Sequence, residues 1–168
     1  RADAAAEQRA SLSSLRKKQP AGARAWSPAA LAALHQDAAA EFAPCLDTWR
    51  PMAAAVAAAT GLDAGKLGLT KADRVPLKKL GERFADLDAN LRACGFEDID
   101  VYVTSQRTGY ARVLPADPPV FGVSADVAAM ATAEHRFLVG RALYQLTTHT
   151  GHLADLRDGE LFWFWGAA

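Results

Sequence analysis

The sequence predicts an α+β fold that is predominantly helical, with N-terminal helices followed by a small β-sheet that packs on further helices. Two observations lead to this prediction. Alanine-rich segments with helical spacing occupy the first half of the chain, and short segments of alternating or β-branched apolar residues begin only after residue 97. Helical patterns return after residue 124. We divide the chain into a helical segment over 1–70 and an α+β domain over 71–168, and we expect them to form one compact unit.

The composition argues against several classes of partner. Hydrophobic residues make up 51% of the 168 residues, charged residues make up 23%, and the formal net charge is zero. A neutral chain lacks the basic surface that binding to nucleic acid or to an anionic membrane requires. No apolar run approaches the roughly 20 residues of a membrane-spanning helix, so we expect no membrane insertion. The chain begins at Arg1 without a signal-peptide pattern, and we expect a cytoplasmic piece of a longer protein.

The N-terminal half is predicted to be helical, with breaks at proline and glycine. The first helix is "DAAAEQRASLSSLRKK", and Ser27 followed by Pro28 is an N-cap with proline at the first position of the next helix. Pro44 and Pro51 are expected to interrupt the chain before an alanine-rich helix that ends at Gly61. These helices have small side chains and therefore suit close packing in a helical array.

A long amphipathic helix is predicted next. In the segment "VPLKKLGERFADLDANLRACG", Pro76 marks the expected start of the helix and Gly95 marks its expected end. Its apolar residues recur at three- and four-residue steps, which is the spacing of one helix face. They are Leu77, Leu80, Phe84, Leu87 and Leu91.

Three short strands and two helices complete the predicted elements. In "DIDVYVT", alternate positions are apolar, which is typical of a strand, and "GYARVL" and "VFGVS" are the second and third strands. Ser124 is the expected N-cap of the helix "ADVAAMA", and Thr132 is the expected N-cap of "AEHRFLVGRALYQLTTH".

The two cysteines, Cys45 and Cys94, have no metal-type spacing. Both fall in or beside predicted helices, where cysteine is usually a small buried apolar residue. We expect reduced thiols in a reducing cytoplasm, although the sequence leaves a disulfide between them open.

From Phe84 to about Leu156 the order of elements resembles the catalytic core of HExxH zinc metallopeptidases of the CAAX-prenyl-protease and heat-shock-protease type. A long helix leads to "DIDVYVT", then to "PPVFGVSADVAAM", then to the threonine-capped "EHRFLVGRALYQL" and to "GHL". The resemblance implies that "DIDVYVT" and "PPVFGVS" pair in one sheet beside this helix. It also implies that Val101 and Val103 share a face that packs on Phe137 or Leu138.

The metal-binding motif itself is replaced in this chain. Glu134 matches the leading glutamate, and "RALYQ" stands where HExxH would be. Arg141 takes the place of the first histidine ligand, Ala142 that of the general-base glutamate, and Gln145 that of the second histidine ligand. Zinc requires neutral imidazoles or anionic ligands, so the resemblance implies a non-catalytic domain without a cofactor. Degenerate domains of this kind resemble those found beside helical repeats in large bacterial proteins.

Arg141 suggests a specific hypothesis for how such a site could persist without a metal. A buried arginine at the first ligand position would supply the lost positive charge to a carboxylate, with Gln145 adding a hydrogen bond. Candidate acids are Glu134, Asp155 and Glu160. The alternative is that Arg141 extends to solvent along its aliphatic stem.

A relocated metal site is the alternative that would restore chemistry. His149 and His152 are three residues apart, and His135 lies beside Glu134. These four residues are the candidate ligands of a zinc-dependent hydrolase with an atypical site. However, Gly151 indicates that the helix ends between His149 and His152, and histidines near helix C-termini are also favoured by the helix dipole.

The segment "LFWFW" is the most apolar cluster in the chain. Its aromatic residues are candidates for an interaction surface, covered by the core, by the rest of the chain or by a partner. They are Phe162, Trp163, Phe164 and Trp165.

Three hypotheses follow from the sequence. The first is a non-catalytic, metallopeptidase-like domain that acts as a scaffold or protein-interaction module, whose partners are the rest of its own chain or other proteins. The second is the atypical zinc hydrolase. The third is a plain helical module without peptidase ancestry.

Overall fold

The computed structural model describes residues 36–59, 61, 63–151 and 153. The fold is α+β and predominantly helical, as predicted. The helices are α1 (Gln36–Ala59), α2 (Leu77–Arg83), α3 (Ala85–Ala93), α4 (Ala125–Ala128) and α5 (Ala133–Thr147), and the strands are β1 (Arg74–Val75), β2 (Asp100–Thr104), β3 (Ala111–Leu114) and β4 (Val120–Ser124). The helices predicted before Gln36 lie outside the described residues.

Helix α1 is continuous where the sequence predicted breaks. It runs through both Pro44 and Pro51 without interruption, so the prediction of two separate elements was wrong. A proline inside a helix removes one backbone hydrogen bond. Pro51 is exposed, so water can replace the lost partner.

Residues 77–93 form two helices, and the prediction of a single one was wrong. The break lies at Phe84, whose φ of −138° and ψ of 64° are not helical. Leu80 on α2 and Leu87 and Leu91 on α3 are all fully buried in the same core, so both helices contribute to it.

The four strands of the sheet lie in the order β1-β2-β4-β3. Strand β2 pairs in parallel with β4, with Val101 opposite Phe121, while β3 pairs antiparallel with β4 and β1 antiparallel with β2. The three predicted strands are confirmed, including the pairing of "DIDVYVT" with "PPVFGVS". Strand β1 was not predicted because two residues are too few to show alternation.

One face of the sheet carries the main hydrophobic core. Alternate strand residues such as Val101, Phe121 and Val113 meet the buried side of α5 there. Val101 and Val103 share this face, as predicted. Leu138 packs against the same core, whereas Phe137 is 63% exposed, so only Leu138 fulfils the expected packing.

The opposite face of the sheet is covered by the loop that precedes β1. Leu67 and Leu69 form a second buried cluster with Leu114 and Val120. A Cβ atom on Gly122 would lie 2.5 Å from Leu69 Cδ1, so glycine in β4 is what allows Leu69 to lie flat on the sheet. Both faces of the sheet are therefore occupied by the protein itself.

Helix α1 is joined to the end of α5. The Trp49 indole N–H donates to the His149 backbone carbonyl at 2.8 Å, and Trp49 is 1% exposed. Residues of the segment 1–70 therefore contact residues of the segment 71–168. Trp49 bonds to His149, and Leu67 and Leu69 pack on the sheet. Cys45 is exposed and Cys94 is half-buried, and both are free thiols, so the expectation of a buried Cys45 was wrong because this residue lies on the outer side of α1.

Candidate functional site

Helix α5 begins at the predicted cap. The Thr132 hydroxyl accepts a hydrogen bond from the His135 backbone N–H at 3.1 Å. This bond satisfies a donor that the helix cannot pair internally. The helix ends at Thr147 with Thr148 as its C-cap, and His149 follows with a φ of 58°. The residues singled out by the sequence lie along this helix and at its two ends.

The positions that correspond to the metallopeptidase motif lie on two different sides of α5. Arg141 is exposed and Gln145 is half-buried, and their spacing of four residues places them on the same outward side. Ala142 is fully buried in the main core. Ala142 is therefore a packing residue.

The hypothesis that Arg141 is a buried replacement for zinc was wrong. Its guanidinium lies on the solvent side of the helix, and within the described part of the chain no carboxylate lies in ion-pair contact with it. Glu134 is also exposed, while Asp155 and Glu160 lie outside the described residues. Arg141 lies seven residues, or about two helical turns, beyond Glu134. Both charged side chains stay in water, since burying them in the core would cost more free energy.

The residues at the motif positions do not fit a zinc ion. Arginine keeps its proton and repels a cation, and the glutamine amide is a poor ligand in comparison with imidazole or carboxylate. Within residues 36–59 and 63–151, no three His, Cys, Asp or Glu side chains are placed to hold a metal ion together.

The alternative ligand set is spread over the length of α5. His135 lies in its first turn and His149 just beyond its last turn, so about 20 Å of helix separates them. Two residues this far apart cannot bind one ion. Glu134 is exposed beside His135, and His152 lies outside the described residues.

His149 occupies a special place at the end of the helix. Its partial burial, together with the positive charge of Arg50 on α1, lowers the pKa of the imidazole. Its backbone carbonyl is the acceptor for Trp49. The residue is therefore part of the contact between α1 and α5.

A second polar cluster lies where β4 turns into α4. Asp126 Oδ2 accepts a hydrogen bond from the Gly109 backbone N–H at 3.0 Å and lies 3.8 Å from His135 Nε2. The Ser124 hydroxyl and the Gly109 N–H lower the pKa of Asp126. The Ser124 side chain accepts from the Tyr110 N–H at 3.0 Å, so this predicted cap serves the β3–β4 pair rather than its own helix.

The serine, aspartate and histidine of this cluster are not arranged as a nucleophilic triad. Asp126 lies between the other two, whereas catalysis needs the histidine next to the hydroxyl. Ser124 is fully buried and cannot meet a substrate. The cluster therefore connects the loop between β2 and β3 to α4 and the start of α5. The sequence did not predict it, because Gly109 and His135 carry no pattern that relates them to Asp126.

A shallow groove lies along the outer edge of β1. It has a volume of about 400 Å³, and its lining includes Lys71, Arg74, Pro76 and Ile99. Arg74 forms an ion pair with Asp100 at its rim. The Arg74 backbone N–H already bonds to the Lys71 carbonyl, and Pro76 has no N–H, so neither of these two residues has a free donor for a further strand.

The outward side of α5 carries the most exposed large apolar side chain of the described residues. Phe137 is 63% exposed, with Glu134 three residues before it and Arg141 four residues after it. This spacing places all three on one stripe. The predicted interaction residues Phe162, Trp163, Phe164 and Trp165 lie outside the described residues.

No family model, no curated protein and no solved structure matches this chain. In the part of the chain that the structure describes, every helix is too short or too polar to cross a membrane.

Proposed function

We propose that this chain is a non-catalytic domain with metallopeptidase-like architecture that acts as a scaffold or protein-interaction module in a larger, cytoplasmic bacterial protein. Its partners are the rest of its own chain or other proteins. The observation that carries the proposal is the outward side of α5. There Phe137 and Arg141 face solvent, and the position of the general base is filled by the buried Ala142.

Two features support a binding role over a catalytic one. Among the described residues, both faces of the sheet are covered by side chains of the chain itself. An exposed phenylalanine between two charged residues has the composition of a small contact patch, since aromatic and arginine side chains contribute most to protein interfaces.

A photo-crosslinking experiment tests the proposal. A benzophenone amino acid is introduced at Phe137, and in a matched control at Lys79, which is exposed on α2. On irradiation in cells, the substitution at Phe137 is expected to give discrete adducts and the substitution at Lys79 is not. Equal labelling from both positions, or none from either, would count against a contact patch on α5.

The zinc content of the purified protein separates this proposal from the atypical hydrolase. We expect substoichiometric zinc and no change in metal content for the variants His135→Ala and His149→Ala. Stoichiometric zinc that is lost in either variant would overturn the non-catalytic assignment.

A further inference from the structure

The stripe on the outward side of α5 is apolar at its centre and oppositely charged at its ends. Phe137 and the partly buried Leu138 form the centre, Glu134 lies at the N-terminal end and Arg141 at the C-terminal end. Two turns of helix, or about 10 Å, separate the two charged residues. Within the described residues neither charge has an ion-pair partner.

The stripe is complementary to a second copy of itself that runs in the opposite direction. Glu134 lies three residues before Phe137, and Arg141 lies three residues after Leu138. If a second α5 is laid antiparallel on the first, a two-fold axis passes between Phe137 and Leu138. Each glutamate then faces the arginine of the other copy, and the four central side chains meet at the axis. A parallel arrangement would instead place like charges together.

We propose that the occupant of this surface is a second copy of the same chain, which forms an antiparallel, two-fold symmetric dimer through α5. The inference rests on the proposed function, because it assigns a partner to the same patch. Symmetric dimers use one surface twice, so a pair of complementary residues contributes two contacts. Exposed Phe137 would lose its contact with water, and the charges at the rim would select the antiparallel orientation.

The expected dimer is weak. One helix face buries less area than the roughly 1,200 Å² of a standard protein interface. The charged pairs lie at the solvent-exposed rim, so increasing salt should weaken the association. The dimer is therefore expected to appear at the high end of the protein concentration range.

Sedimentation velocity over protein concentrations from about 5 to about 500 µM tests the dimer. The parent chain is expected to shift from monomer to dimer with concentration. Glu134→Arg and Arg141→Glu each place like charges opposite one another twice, and each is expected to weaken dimerisation at least about tenfold. The double variant Glu134→Arg/Arg141→Glu restores both pairs in reversed form and is expected to return to within about threefold of the parent.

Two further variants complete the design. Phe137→Ala should abolish the dimer, and Lys79→Glu should leave it unchanged as a control for net charge. Thermal melting monitors the fold of each variant, since all four positions are exposed and large losses of stability are not expected.

A parent chain that stays monomeric over the whole range, or a double variant that is no better than the single ones, would overturn the dimer. The proposed function is judged separately. Adducts from Phe137 to a different protein, with a monomeric parent, would sink the dimer and leave the interaction role standing. The interaction role itself would be rejected if both crosslinking positions were labelled equally or if the purified protein contained stoichiometric zinc.

Discussion

Ala142 and Arg141 are neighbours in sequence with opposite environments, and their substitutions should differ accordingly. Ala142→Glu would place a carboxylate in the core without a partner, and we expect a loss of at least about 3 kcal/mol in the free energy of unfolding. Arg141→Ala removes an exposed charge and should change that free energy by less than about 0.5 kcal/mol. Chemical denaturation measures both values. A large loss for Arg141→Ala would revive the buried-arginine hypothesis.

His149 should make the stability of the protein depend on pH. Its pKa is lowered in the folded state by burial and by Arg50, so the unfolded state binds the proton more readily. Stability is then fully present above the unfolded pKa of about 6.5 and falls as the pH drops below it. We expect a smaller decrease in melting temperature between about pH 7.5 and 5.5 for His149→Asn, since asparagine tolerates the same positive φ.

Arg50 provides the matched control for this pH effect. Arg50→Gln removes the second cause of the lowered pKa and should reduce the pH dependence in part, while Arg50→Lys retains the charge and should preserve it. An unchanged pH dependence in His149→Asn would show that other groups are responsible.

The residues that could be predicted from sequence are those whose role depends on near neighbours. Thr132 was predicted as a cap because the N–H that it accepts lies three residues away. For Arg141 the sequence left a buried and a solvent-facing position open, and its exposed position follows from the phase of the buried residues Val139, Leu143 and Leu146 on the same helix.

At the scale of elements, the exit of α5 depends on one close contact. A Cβ atom at Gly151 would lie 2.3 Å from Val113 Cγ2 and 2.6 Å from the Val113 backbone oxygen. Because backbone is involved, the strand or the loop must move. We expect Gly151→Ala to lower the free energy of unfolding by about 1–3 kcal/mol. Gly65→Ala, where only the flexible side chain of Asp63 is near, should cost less than about 1 kcal/mol. Equal effects in the two variants would contradict this assignment.

The strands were predictable as elements, whereas helix continuity was not. Alternation in "DIDVYVT" is a local signal with period two. The apolar spacing continues at three- and four-residue steps across Phe84, so the local pattern carries no signal for the break that its φ and ψ show. Likewise, the packing of α1 outweighs the cost of Pro44 and Pro51, since the buried face of this helix includes Trp49 and Ala53.

At the scale of the whole molecule, Trp49 connects parts of the chain that are 100 residues apart. Trp49→Phe keeps most of the apolar surface but leaves the His149 carbonyl without this donor, which costs about 1–3 kcal/mol. We expect faster amide hydrogen exchange over residues 45–59, with little change in β2 and β4. Uniform acceleration over all helices and strands would mean that the bond acts on global stability and not on the attachment of α1. No sequence pattern relates position 49 to position 149, so this contact could not be predicted.

The strand order has a consequence for how the chain reaches its native state. Leu114 pairs with Val120, which lies only six residues later in the chain. Asp100 pairs with the same Val120, which lies twenty residues after it. Closing the shorter loop loses less chain entropy, so the hairpin of β3 and β4 should form first and β2 should add to its free side afterwards. Substitutions such as Val113→Ala are then expected to slow refolding, while Val101→Ala should mainly accelerate unfolding. Stopped-flow measurements on the two variants would detect the difference, and the reverse assignment of rates would show that the parallel pair nucleates the sheet.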